Sequence, residues 1–179
     1  MNRKYFLLSL LILFTISIAA QEKKAGPVIA NYGKVWQIEG QDYKIESDTE
    51  LKVVFDIMNS PEDTSALNRS IETAARFLNM HAQNGVSKEN MKVALVVHNK
   101  ASKDIITNEA YIERYGIKNP NAEMVQQLMD AGVDFIFCGQ SSLSRDFPIE
   151  ETISGVQLSL SAMTALIQLQ NDGYRLIKF

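Results

Sequence analysis

The stretch Gly132-Val133-Asp134-Phe135-Ile136-Phe137-Cys138-Gly139-Gln140-Ser141-Ser142 decides how this chain is read. From Val133 to Cys138 it is apolar except at Asp134, rich in aromatic and β-branched side chains, and bounded by Gly132 and Gly139. A run so short and so continuously apolar fits a strand buried on both faces, as in parallel sheets. Two earlier runs have the same character: Val53 to Met58, ended by Asn59-Ser60-Pro61, and Met91 to Val97, ended by His98-Asn99. Alternating Val156, Leu158 and Leu160 predict a fourth strand, and Tyr174 to Phe179 a fifth.

Between these runs the period changes. Leu67, Ile71, Ala74, Ala75, Leu78 and Ala82 follow helical spacing from Ser65 onward, with Asn84-Gly85 as the stop. Asp104 to Tyr115 predicts a short amphipathic helix closed by Gly116. Asn119-Pro120-Asn121 opens another with Pro in its first turn, and Met124, Val125, Leu128 and Met129 form its apolar face. Gly139 to Ser142 reads as a turn, with a short helix starting near Ser142 or Ser144. Ala162 to Leu169 is apolar on most sides and stops at Gly173. Strand-helix alternation of this kind gives a parallel α/β sheet with helices on both faces and right-handed crossovers. Ligands of such sheets sit beyond the carboxyl ends of the strands.

The first residues belong to something else. Arg3 and Lys4 precede a stretch from Tyr5 to Ile18 that is apolar apart from Ser9, Thr15 and Ser17, and small residues follow. That is the layout of a secretory signal peptide over residues 1–20, cut after Ala19 or Ala20. As a helix the stretch spans only about 20 Å, short of a bilayer core of about 30 Å, so no stable membrane anchor is expected after cleavage. The expected location is outside the cytoplasm, the periplasm if the source is Gram-negative. Residues 21–50 read as an N-terminal extension, with Lys34 to Ile38 as an edge strand, and the main domain runs over residues 51–179. Losing Arg3 and Lys4 and no acid takes the formal charge from −3 to −5. With no basic stripe, nucleic-acid binding is not expected.

The sequence carries no GxGxxG, GxxxxGK[ST] or GxSxG motif. Two histidines and one cysteine, widely spaced, argue against a zinc site, and no cofactor or metal is implied. Cys138 stands out by position, because backbone N–H groups of the turn after it favour a thiolate or a persulfide anion. Gly139, Gln140 and Ser141 would form that backbone cradle, and Arg145 would add positive charge. The competing reading is a small buried hydrophobe. His98, at the same sheet edge, is either a base or hydrogen-bond partner for the site or a structural histidine. Asn59-Ser60-Pro61 either lines the cleft or caps the first helix. His81, near a helix end, reads as structural, Trp36 as packing of the extension on the core rather than ligand stacking, and Tyr111 and Tyr115, one turn apart, as packing residues or a lid over the cleft.

Lys52-Val-Val-Phe-Asp-Ile, Lys92-Val-Ala-Leu-Val-Val-His98, Gly132-Val-Asp-Phe-Ile-Phe-Cys138-Gly-Gln-Ser and Leu-Gln-Asn-Asp-Gly173-Tyr-Arg-Leu-Ile together resemble the DsrE/DsrF-like family over about Leu51 to Phe179. The resemblance implies a three-layer α/β/α fold with a five-stranded parallel sheet. It implies sulfur relay, in which a cysteine placed as Cys138 is accepts sulfane sulfur as a persulfide and passes it on. The partners implied are small sulfur species or a sulfur-donor or acceptor protein, and a homo-oligomer. Two other functions fit the same residues. One is a non-enzymatic oligomeric module that binds a ligand or partner, with Cys138 structural. The other is a thiol redox sensor.

Overall fold

The computed structural model describes residues 22–178. The expected signal peptide, residues 1–20, lies outside the described residues. In chain order the elements are β1 (Leu51–Ile57), α1 (Arg69–Gln83), β2 (Met91–Val97), α2 (Asn108–Tyr115), α3 (Ala122–Asp130), β3 (Asp134–Cys138), α4 (Gly139–Arg145), β4 (Gln157–Ser159), α5 (Ala162–Asn171) and β5 (Arg175–Ile177). The strands lie in the order β4-β3-β2-β1-β5 and every pairing is parallel. This is the expected three-layer α/β/α fold.

The two faces of the sheet are unequal. Val53, Phe55 and Ile57 of β1, Val93, Leu95 and Val97 of β2, and Phe135 and Phe137 of β3 point into a large core with residues of α1, α2 and α3. The alternate residues Val54, Ala94, Val96 and Cys138 pack with Ala162 and Ala165 of α5, and Leu166, Leu169 and Tyr174 are partly buried against them. Small side chains on both sides let α5 lie close to the sheet. The outer side of α5 stays uncovered, with Met163 73% and Ile167 59% exposed.

Four local expectations are corrected. Lys34 to Ile38 makes no edge strand; only an isolated antiparallel bridge joins Val35 to Lys24. Asp104 to Tyr115 is not one helix. A 3-10 segment runs from Asn99 to Ile105, and α2 starts after Thr107, whose side chain accepts from the Ala110 N–H. Ile105 and Ile106 are apolar because they are wholly buried in the connection. α1 begins at Arg69, later than Ser65, because Asn68 is its N-cap and accepts from the Ser70 and Ile71 N–H groups. Pro120 precedes the N-cap Asn121 and lies outside α3.

The extension docks on α1. Asn79, fully buried in α1, accepts from the Ile29 N–H and donates to the carbonyls of Ile29, Tyr32 and Gly33. Gly33, at φ +69°, passes so close that a Cβ there would stand 2.4 Å from the Ala75 carbonyl carbon. Only glycine fits both the conformation and the space. Trp36 remains 47% exposed beneath Lys23 and does not pack into the core.

Candidate functional site

Cys138 is both the last residue of β3 and the N-cap of α4. The expected turn is absent, and α4 starts at once with Gly139. A Cβ on Gly139 would stand 2.7 Å from the Ser159 carbonyl oxygen, so only glycine lets the chain turn directly from strand into helix against β4. The first N–H groups of a helix have no partner within it. In α4 the N–H groups of Gln140 and Ser141 therefore face the sulfur, together with the Ser141 hydroxyl. A second helix end contributes as well. Ser161 caps α5 through the Thr164 N–H, and the Ala162 N–H is left facing Cys138.

These groups surround Sγ as a set of oriented dipoles. Burial of Cys138 on its own would push the thiol up. The Ser141 hydroxyl and the backbone N–H groups of Ser141, Ala162 and Gln140 outweigh it and hold the pKa below that of an ordinary thiol. The residue is 5% exposed. Ser141 is itself held in place, because its Oγ accepts from the Asn99 N–H at 2.9 Å.

A family model described as the DsrE/DsrF-like family matches residues 52–179. The chain belongs to this family. The match begins one residue into β1 and takes in every strand, so the extension that docks on α1 precedes the DsrE/DsrF-like domain. Among solved structures, the chain is similar to a protein of unknown function from Methanobacterium thermoautotrophicum, at 17% identity and a TM-score of 0.52. It is also similar to the ychN protein from E. coli, at 17% identity and a TM-score of 0.54. Each likeness covers 72% of this chain and 99% of the other, and establishes the shared fold. No curated protein matches the chain.

The other expected site residues of this DsrE/DsrF-like chain fall in four places. Gln140 is exposed, and its side-chain amide donates to the Leu160 carbonyl at 3.4 Å, so its contribution at the sulfur is its backbone N–H. His98 follows β2 on the same sheet face as Cys138, one strand away. Its Nε2 lies 2.7 Å from Asp56 Oδ1, which turns the ring towards β1 while Cys138 lies on its other side. Among the described residues no hydrogen bond joins His98 to Cys138. Arg145 donates to the Asn99 side-chain oxygen, at the far end of α4 from the sulfur. Asn59 is exposed at the end of β1; its carbonyl accepts from Asn68 at 2.8 Å, and Asn68 rather than Asn59 or Ser60 caps α1.

Three contributors, Asp56, Ala162 and Asn99, have no role in the reading from sequence. Asp56 accepts from both His98 and, at 2.8 Å, Lys178. Burial raises its pKa, but the Lys178 and His98 hydrogen bonds and charges outweigh this and leave it low. Ala162 enters through its backbone alone. Asn99, in the left-handed region at φ +54°, connects Ser141 on one side to Arg145 on the other. An Asn at a strand end is a hint of such a conformation, but its two partners come from a distant helix. His81 is structural, as expected, with Nδ1 2.8 Å from the Phe77 carbonyl.

Proposed function

We propose that this DsrE/DsrF-like protein carries sulfane sulfur as a persulfide on Cys138. The observation that carries the reading is the convergence of two helix N-termini and the Ser141 hydroxyl on one thiol whose pKa is lowered. The same dipoles that favour a thiolate favour a persulfide anion. The thiolate attacks the outer sulfur of a donor such as thiosulfate. A Cys138–sulfur bond forms, the donor S–S bond breaks, and sulfite leaves with the electron pair. An acceptor thiolate then attacks the outer sulfur of the persulfide and releases the Cys138 thiolate. The partners are accordingly a small sulfur species or a donor or acceptor protein.

The exported setting is part of the proposal. Residues 1–20 would be removed as a signal peptide, releasing the domain beyond the cytoplasm, in the periplasm of a Gram-negative cell. N-terminal sequencing of the exported protein tests this and is expected to start at Ala20 or Gln21. A homo-oligomer is supported by the uncovered apolar side of α5 with Met163 and Ile167, and by the exposed Leu158 and Leu160 at β4.

Transfer of labelled outer sulfur from thiosulfate to the protein, followed by its recovery as thiocyanate on adding cyanide, tests the carrier reading. Label on wild type and none on Cys138→Ser is the expected result. A second reading rests on the 5% exposure of Cys138. A structural thiol would leave the function of Cys138→Ala intact at a modest cost in stability, and the wild type would take up no label.

A further inference from the structure

We propose that the groove between the segments following β1 and β2 binds a small organic anion, at a site separate from Cys138. This goes beyond the sulfur-carrier reading and does not depend on it. The groove encloses about 320 Å³. That is the size of a site for a small molecule. Pro61, Tyr115 and Phe147 give it an apolar wall, and Lys100 and Arg145 stand at it.

The charge balance there opposes that of the chain. The protein has a formal net charge of −3. Yet Lys100, Lys103 and Arg145 all line this groove, and Glu62 is the only carboxylate that does. Lys103 is already engaged, with Nζ 3.1 Å from the buried Asp104. Lys100 has no hydrogen-bond or ion-pair partner among the described residues, and Arg145 has only the neutral side-chain oxygen of Asn99. Two cations that form no ion pair among the described residues, beside an aromatic wall, suit a ligand with a planar or apolar body and one anionic group, a carboxylate, sulfonate or phosphate.

The walls are built to stay in place. Asp104 anchors both sides of the groove, accepting from Ser60 at 2.9 Å after β1 and from Lys103 after β2. Asn68 and Asn121 also donate to Asp104, at 2.6 and 3.2 Å. Tyr115 is held by the ring of Tyr111, centroids 4.5 Å apart, and Tyr111 is fixed by its hydroxyl on the Thr64 carbonyl. A preformed site costs little ordering on binding.

Phenyl phosphate is a direct probe, since it combines an aromatic body with a dianion. Titration of the full chain followed by amide NMR should give saturable shifts at Thr64, Lys100, Lys103 and Arg145. Phenol, which lacks the charge, should give none. The double variant Lys100→Ala/Arg145→Ala should bind at least about ten-fold more weakly. Glu62→Gln should bind more tightly, a gain that a damaged fold would not produce. Cys138→Ser should bind as the wild type does, so a failed sulfur-carrier reading leaves this result untouched. Absence of saturable shifts, or affinity unchanged in the double variant, would overturn the proposal. So would loss of binding in Cys138→Ser with retention in the double variant, which would place the anion at the thiol.

Discussion

At the scale of single residues, the sulfur owes its character to groups that donate rather than to a neighbouring base. Ser141 is the one side chain among them. Its removal in Ser141→Ala should raise the Cys138 pKa, and the pH profile of alkylation by iodoacetamide reads the change. The wild-type midpoint should lie below that of an ordinary free thiol, and the variant's should move towards it. His98→Ala should shift that midpoint far less, because His98 faces Asp56. Gly139 gives a purely steric prediction. A Cβ 2.7 Å from the Ser159 oxygen meets backbone that cannot swing aside. Gly139→Ala should therefore cost about 1–3 kcal/mol in urea unfolding. Cys138 was legible in the sequence because it ends an apolar run before a glycine. The Ala162 N–H was not, since a backbone donor from a helix beginning 24 residues later leaves no trace in side-chain chemistry.

Elements were legible where burial is periodic. β1, β2 and β3 follow directly from apolar runs, because both faces of a central parallel strand are covered. The segment from Asp104 to Tyr115 misled for the same reason: Ile105 and Ile106 are wholly buried without being helical. The Lys34 to Ile38 alternation misled because its one pairing is an isolated bridge from Val35 to Lys24 within the extension and not a sheet edge. Asn79 decides the docking of the extension on α1 through four hydrogen bonds. Asn79→Ala leaves those backbone groups without their buried partner and should cost at least about 2 kcal/mol. Hydrogen exchange should show the Ile29 amide losing protection while β2 keeps its own. Loss of protection across the whole sheet would mean that the extension is part of the domain's cooperative unit.

At the scale of the whole molecule, the carboxyl edge of the sheet carries an ion-paired carboxylate as well as the thiol. The Asp56 carboxylate is stabilised by Lys178 and His98, so its folded pKa lies below its ordinary value. Its contribution to stability is fully present above the unfolded pKa, about 4, and is lost as pH falls through the lower folded value. Asp56→Asn should therefore flatten the stability loss measured by thermal unfolding as the pH falls below about 4. The uncovered side of α5 bears on assembly. Met163→Glu or Ile167→Glu should shift the mass measured by light scattering towards the monomer, since burying that charge in a subunit contact is costly. An unchanged mass would remove α5 from the contact.

The central claim is that Cys138 holds sulfur. Mass spectrometry of the folded mature protein after exposure to polysulfide tests it most directly. The Cys138 peptide should gain one sulfur atom, about 32 Da, that dithiothreitol removes and that Cys138→Ser never acquires. A Cys138 that gains no such mass and resists alkylation until the protein is unfolded would contradict it.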